Sequence, residues 1–302
     1  MRRRTAVAVA ALGVAFALGG CGGLPPGVDG DLNNGWPAMP QAKVVVPVAG
    51  ACYAMLSSGV SAGDDKTTSC TGAHDVETVY VGTFAGADAG RSTAPAKGST
   101  ALVAAYADCR KNATTYLGDD FDLGMLDLSM VLPTAPAWTG GARWYRCDIV
   151  RYQDIEFKTV GGQGSVKDGL RGDRPLAVTC VTVTDDGKSS ITDEQAVACS
   201  TPHNAEVAGL FTAPDVPWPT DQTARDNLAS KGCEGVASKY LGESGGQVNN
   251  PLLGWSWDGF SQERWELGDR TTRCLLVGIK GDSANSVRFT GSVKGIGTKA
   301  PK

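Results

Sequence analysis

The chain has 302 residues, 42% hydrophobic and 20% charged, enough apolar material for more than one core of ordinary size. Its 28 Lys and Arg against 32 Asp and Glu give a formal charge of −4. With few clustered basic residues, this argues against nucleic acid and against charge-driven binding to acidic lipid.

Arg2, Arg3 and Arg4 precede an apolar run over residues 5–18, rich in Ala, Val and Leu. The run is short for a membrane span, which needs about 20 residues, and it fits the h-region of a signal peptide. Leu18-Gly19-Gly20-Cys21 follows directly and resembles a bacterial lipobox. That resemblance implies cleavage before Cys21, lipidation of its thiol and a mature chain held on the extracytoplasmic face of the cell membrane by acyl chains. Residues 1–20 are therefore expected to be a lipoprotein signal and residues 21–44, dense in Gly, Pro and Asn, a flexible tether.

Removing Cys21 from nine cysteines leaves two sets of four. Cys52, Cys70, Cys109 and Cys147 are spaced by 18, 39 and 38 residues; Cys180, Cys199, Cys233 and Cys274 by 19, 34 and 41. Outside the cytoplasm, repeated even sets predict structural disulfides, and no CxxC pair suggests zinc. Four cysteines allow three pairings in each set, and spacing does not choose among them. First-with-second and third-with-fourth is favoured because the first pair brackets a short hairpin-like segment.

Other matches keep the same offset of 124–129 residues. Tyr116-Leu117-Gly118 answers Tyr240-Leu241-Gly242, Trp138 answers Trp265, and Gly164-Ser165-Val166-Lys167 answers Gly291-Ser292-Val293-Lys294. The only histidines, His74 and His203, each lie four residues after a Cys and three before a Glu, at Glu77 and Glu206. Two tandem homologous domains are expected, over residues 45–171 and 172–302.

In each repeat a strand carries the first Cys (residues 44–55; 176–184), followed by a turn at Gly63-Asp64-Asp65 or Asp185-Asp186-Gly187. A strand follows the histidine (76–84; 205–211). A helix capped by Ser99 or Thr100 places Leu102, Tyr106, Cys109, Ala113 and Tyr116 on one face, with Gly118 at its end. Its counterpart is capped by Thr220 or Asp221, carries Ala229, Cys233, Val236 and Tyr240, and ends at Gly242. The fourth Cys lies on a strand (142–152; 271–279), and a last strand is expected near Gly-Ser-Val-Lys. The fold class is α+β: two disulfide-bonded domains, each a small, mainly antiparallel sheet packed with one main helix.

His74 with Glu77 and His203 with Glu206 are the best chemical constellation, able to supply two metal ligands or an acid and a base. Metal sites want three or four ligands, and the nearby Cys is expected in a disulfide, so a turn-fixing or partner-binding role is favoured. Asp119, Asp120 and Asp122 could face calcium, but the second repeat lacks the charges, and surface solvation is the simpler expectation. Gly187-Lys188-Ser189 lacks the first Gly of a phosphate loop. No hydrolase, zincin or dinucleotide motif is present. Trp138 and Trp265, being repeated, are assigned to cores, whereas Trp255 and Trp257 are candidates for a surface that stacks sugar rings or binds protein.

Together these residues resemble the septum-formation domain of actinobacterial envelope proteins. The second repeat carries Cys199, Pro202, His203, Glu206, Val207, Cys233, Tyr240, Gly242, Trp265, Gly268, Arg273 and Cys274. The first carries Cys70, His74, Glu77, Cys109, Tyr116, Gly118, Trp138, Gly141, Arg146 and Cys147, with Ala73 in place of the Pro. The resemblance implies association with cell division at the envelope and no established reaction. The expectation is a monomeric, lipid-anchored binding or scaffold module without catalytic residues, metal or cofactor, whose partners are envelope or division proteins or peptidoglycan. Its rivals are a metal- or small-ligand-binding lipoprotein using the His-x-x-Glu motifs and a cell-wall hydrolase.

Overall fold

The computed structural model describes residues 44–55, 66–153, 158–185, 191–280 and 287–302. Cys21, the leader, nearly all of the tether and both turns after the first Cys strands lie outside the described residues. The elements run β1 (Cys52–Tyr53), β2 (Thr67–Thr68), β3 (Val76–Thr83), α1 (Gly86–Ala89), α2 (Thr100–Leu117), β4 (Leu126–Val131), α3 (Ala135–Thr139) and β5 (Trp144–Arg151). The second half repeats all but α1, as β6 (Cys180–Asp185), β7 (Ile191–Val197), β8 (Ala205–Thr212), α4 (Gln222–Leu241), β9 (Leu253–Trp257), α5 (Gln262–Glu266) and β10 (Thr271–Gly278).

Two antiparallel five-stranded sheets result, in the orders β2-β1-β3-β5-β4 and β7-β6-β8-β10-β9. Even the irregularity repeats: the register between β3 and β5 shifts between Thr78 and Tyr80, and that between β8 and β10 shifts at Cys274/Leu275. Cys52–Cys70, Cys109–Cys147, Cys180–Cys199 and Cys233–Cys274 are bonded, the favoured framework in both halves. The second bridge of each half ties the main helix to β5 or β10, the strand between the middle strand and one edge of its sheet.

Local chemistry sets the helix bounds. The Ser99 hydroxyl accepts from the Leu102 amide and Gly118 closes α2 at φ 98°. The Asp221 carboxylate accepts from the Ala224 amide and Gly242 closes α4 at φ 78°. The α2 stripe of Leu102, Tyr106, Cys109, Ala113 and Leu117 packs on Leu128, Ile149 and Trp138 to form the first core. Trp265 is buried in the second half as Trp138 is in the first.

Strand period explains the second sheet's two apolar faces. Leu276 of β10 joins Ala237 and Leu241 of α4, whereas Leu275 and Val277 join Val181 and Val207 on the opposite face. Leu123 and Met125 of the first half pack against that opposite face. In the first half, the face away from α2 instead meets the segment before β1, where Gly50 donates to Thr78 and Trp144 donates its indole N–H to the Val45 carbonyl.

Two expectations need correction. No strand forms at Gly-Ser-Val-Lys; the approach to it makes only single bridges, His74 with Gly162 and His203 with Phe289. The acidic cluster is not simply solvated surface: Asp119, Asp120 and Asp122 are paired with Arg174, Arg110 and Arg264, and Asp122 is largely buried, whereas Asp119 stays 40% exposed as expected.

Candidate functional site

The His-x-x-Glu motif starts on the turn after the Cys70 bridge and ends on β3. There the pleat turns Val76 to one face and Glu77 to the face that meets α2. His74 is 2% exposed and Glu77 1%; His203 and Glu206 are both fully buried. His74 Nδ1 lies 2.9 Å from the Gly72 carbonyl and His203 Nδ1 2.7 Å from that of Thr201. A carbonyl only accepts, so Nδ1 carries the proton in both rings. His74 Nε2 is 3.9 Å from Glu77 Oε2.

Glu77 gathers the other repeated motifs. Its Oε1 accepts from the Tyr116 hydroxyl at 2.6 Å and the Ser165 hydroxyl at 2.6 Å, and Oε2 accepts from the Val166 amide at 2.8 Å. In the second half Glu206 Oε2 accepts from the Val293 amide at 2.8 Å, and Tyr240 lies near Glu206 and Ser292. Burial, reinforced by the bond to Glu77, pushes Tyr116 up to about 12, and burial does the same to Tyr240. Both phenols therefore stay protonated, and Tyr116 donates.

The same loops finish the helices. Asp168 and Leu170 donate their amides to the carbonyls of Tyr116 and Leu117; Gly295 and Gly297 do so to Tyr240 and Leu241. Carbonyls that a helix end leaves without intrahelical partners are thereby satisfied. Gly164 and Gly291 close the circuit by donating to the carbonyls of Cys70 and Cys199. The motif is a clasp joining the disulfide turn, the inner strand, the helix end and the last loop.

This leaves the motif little free chemistry. Cys52 lies beside His74 and Glu77, and Cys180 and Cys199 beside Glu206, close enough to share an ion. Their sulfurs are in disulfides, however, and a metal needs the thiolate. Glu77 already accepts three hydrogen bonds. Of the clasp, Tyr116 and the last-loop residue Asp168 border the groove of about 510 Å³ outside it, with Asn112, Thr115, Lys167 and Arg171.

The tryptophan candidates divide. Trp255 donates its indole N–H to Ser230 and packs beside the α4 core. Trp257 lines a cleft of about 310 Å³ with Trp218 and Phe260. Trp218 was missed because its surroundings, Pro217 and Pro219, give it no periodic pattern.

Residues that the repeat comparison passed over join the halves. Arg264 grips Asp122 with two hydrogen bonds, 2.8 and 2.6 Å, and Asp269 with two more, 2.9 and 2.7 Å. Arg110 pairs with Asp120, Asp122 and Asp269, and both guanidinium groups lie over the Phe121 ring. Burial pushes Asp122 up to about 6 against the pull of Arg264. Nearby, Arg273 binds Glu194 and Asp258 at 2.7 Å each, and burial carries Glu194 up to about 7 despite that contact. Arg264 stands where the first half has Ala137, so internal repetition gave no signal for it.

The model of the family described as "Septum formation" matches residues 49–274, across both halves. The chain belongs to the septum-formation family. No curated protein and no solved structure matches it. Within this septum-formation protein, the Cys-His-Glu motif and the Tyr at the helix end, part of what carried the resemblance, meet in the two clasps, whereas Trp138, Arg146 and Trp265, Arg273 lie outside them. No helix among the described residues is long and apolar enough to cross a membrane.

Proposed function

We propose that this septum-formation protein is a lipid-anchored extracytoplasmic binding module that works in cell division by contact and not by turnover. On this reading Cys21 holds it at the membrane, residues 21–44 set its reach, and residues 45–171 and 172–302 are two domains presenting their outer surfaces to envelope or division partners. The observation that supports it best is the clasp. In each half the candidate acid, base and ligand groups are buried and bonded to the fold itself, so specificity is left to surface residues that differ between halves.

The test is proximity labelling of the full-length protein in dividing cells of its host, beside Cys21→Ser. Enrichment of division or wall-synthesis proteins that disappears with the anchor is expected. Equal labelling of septal and lateral envelope proteins by the wild type would remove the division role. Release of labelled fragments from peptidoglycan by the purified protein would replace binding with catalysis.

A further inference from the structure

The aromatic cleft is the feature that one half has and the other lacks. Trp257 sits opposite Cys274 on the edge strand β9, where β4 places Met130 opposite Cys147. Three residues on, Phe260 stands where the first half has Pro133. The buried indoles Trp265 and Trp138 donate to the carbonyls of Val216 and Arg91, which sets Trp218 against Thr93. All three aromatic side chains are therefore additions to a scaffold that folds without them.

Their setting is not that of core residues. Trp138, Trp144, Trp255 and Trp265 each donate the indole N–H to a carbonyl or hydroxyl. Trp218 and Trp257 make no such hydrogen bond to any described residue, although a packed indole ordinarily finds one. Both are half-buried, as is Phe260, leaving ring surface at the cleft. Trp265 beneath holds Trp218 edge-on at 5.4 Å and Phe260 at 5.2 Å, so two of the three rings are braced from below.

The remaining lining is Gln222, Arg225, Asp226, Gly259 and Gln262. Arg225 lies over the Trp218 ring at 4.8 Å and is occupied by the carbonyls of Pro219 and Thr220 and by Gln222 Oε1. Gln222 Nε2 donates to Asp226 Oδ1 and Gln262 Nε2 to Glu266, leaving, among the described residues, Asp226 Oδ2 and Gln262 Oε1 open to a ligand. One Arg and one Asp leave the cleft near neutral, which disfavours both anions and cations. Ring faces beside exposed amides and a carboxylate suit a neutral ligand with an apolar C–H face and an edge of hydroxyls. The volume, about 310 Å³, is at the small end of ligand clefts, roughly 300–1,000 Å³.

We propose that this cleft binds pyranose rings of a neutral glycan, stacked on Trp257 and Trp218 and hydrogen-bonded by Asp226 and Gln262. The proposal deepens the binding reading above and rests on it: the contact made at the envelope includes wall sugar. The full chain, purified in detergent, is titrated by calorimetry and tryptophan fluorescence with tetramers of β-1,4-linked N-acetylglucosamine, with cellotetraose and with a proline-rich decapeptide. At least one tetrasaccharide should bind. Trp257→Met and Trp218→Thr, the residues of the other half, should each weaken it about tenfold or more, and Gln262→Ala, on an exposed position of α5, several-fold with an unchanged urea midpoint. Absence of saccharide binding at millimolar concentration, affinity unchanged in the three variants, or preference for the peptide would overturn it. Retained septal labelling by a Trp257→Met protein that has lost sugar binding would remove the glycan site and leave the division role standing.

Discussion

Replacing Glu77 by Ala tests the clasp at its centre. The substitution deletes an acceptor that serves Tyr116, Ser165 and Val166 at 2.6, 2.6 and 2.8 Å and is only 1% exposed. The hydroxyls of Tyr116 and Ser165 are able to rotate, but the Val166 amide cannot. A buried donor left without a partner costs about 1–3 kcal/mol, and a hydrogen bond to a charged group contributes about 1.5–3 kcal/mol. Counting the orphaned amide and one charged bond that rotation does not recover, Glu77→Ala should lose about 3–5 kcal/mol. Glu77→Gln should lose less, about 1–2 kcal/mol, because its carbonyl still accepts from Val166 while its NH₂ donates to hydroxyls turned to accept. The assay is urea unfolding with the disulfides intact, followed by far-UV circular dichroism and tryptophan fluorescence. A Glu77→Ala loss below about 1 kcal/mol at unchanged m would refute the reasoning.

The remaining predictions concern the rest of the frame. Arg264→Ala leaves Asp122 and Asp269 buried beside Arg110 alone and should cost about 3–5 kcal/mol by urea melt; a loss under 1 kcal/mol would show that the two halves do not depend on it. Glu194, lifted to about 7 by burial, binds its proton more tightly folded than unfolded. Its contribution therefore grows as pH falls from about 7 towards its unfolded value near 4.5, by up to about 3 kcal/mol. Urea midpoints at pH 5 and pH 8 should show that rise in the wild type and a flatter profile in Glu194→Gln; an identical profile contradicts it. The paired change Cys109→Ser/Cys147→Ser opens the bridge between α2 and β5 and should cost about 2–4 kcal/mol, measured by thermal unfolding under non-reducing conditions. A variant as stable as the wild type would mean the bridge adds nothing to the frame.

Much of the frame was legible because it depends on near neighbours. Ser99 and Asp221 as caps, Gly118 and Gly242 as stops and the i, i+3, i+4 stripe of α2 are local chemistry, and the structure keeps them except that Leu117, not Tyr116, ends the buried stripe. The disulfide pairing was favoured from the short bracketed segment and is the one formed. The edge strands β4 and β9 went unassigned although Leu126-Asp127-Leu128-Ser129 and Trp255-Ser256-Trp257 alternate apolar with polar residues. The last strand was expected to end near Gly-Ser-Val-Lys, yet only single bridges form on the approach and the Ser165 hydroxyl and Val166 amide serve Glu77 instead of a ladder.

The site was legible as a coincidence but not as a contact. Sequence marks Glu77, Tyr116 and Ser165 as repeated, while their convergence spans 88 residues and depends on tertiary packing. The Asp122–Arg264 grip joins residues 142 apart and has no counterpart in the repeat, so Asp122 reads alone as surface. Trp257 was found through its aromatic neighbours. Its partner Trp218 lies on a proline-flanked loop and becomes visible only once α4 and β9 bring the two together.

Hydrogen–deuterium exchange at the Val166 and Val293 amides tests most directly whether the repeated motifs serve the fold. Both lie in loops after the last strand of their half, and ordinary loop amides would exchange at once. Bound to Glu77 and Glu206, they should exchange only with global unfolding, and Val166 alone should become fast in Glu77→Ala. Rapid exchange of both amides in the wild type would contradict the clasp and return the His-x-x-Glu motifs to the pool of accessible binding residues.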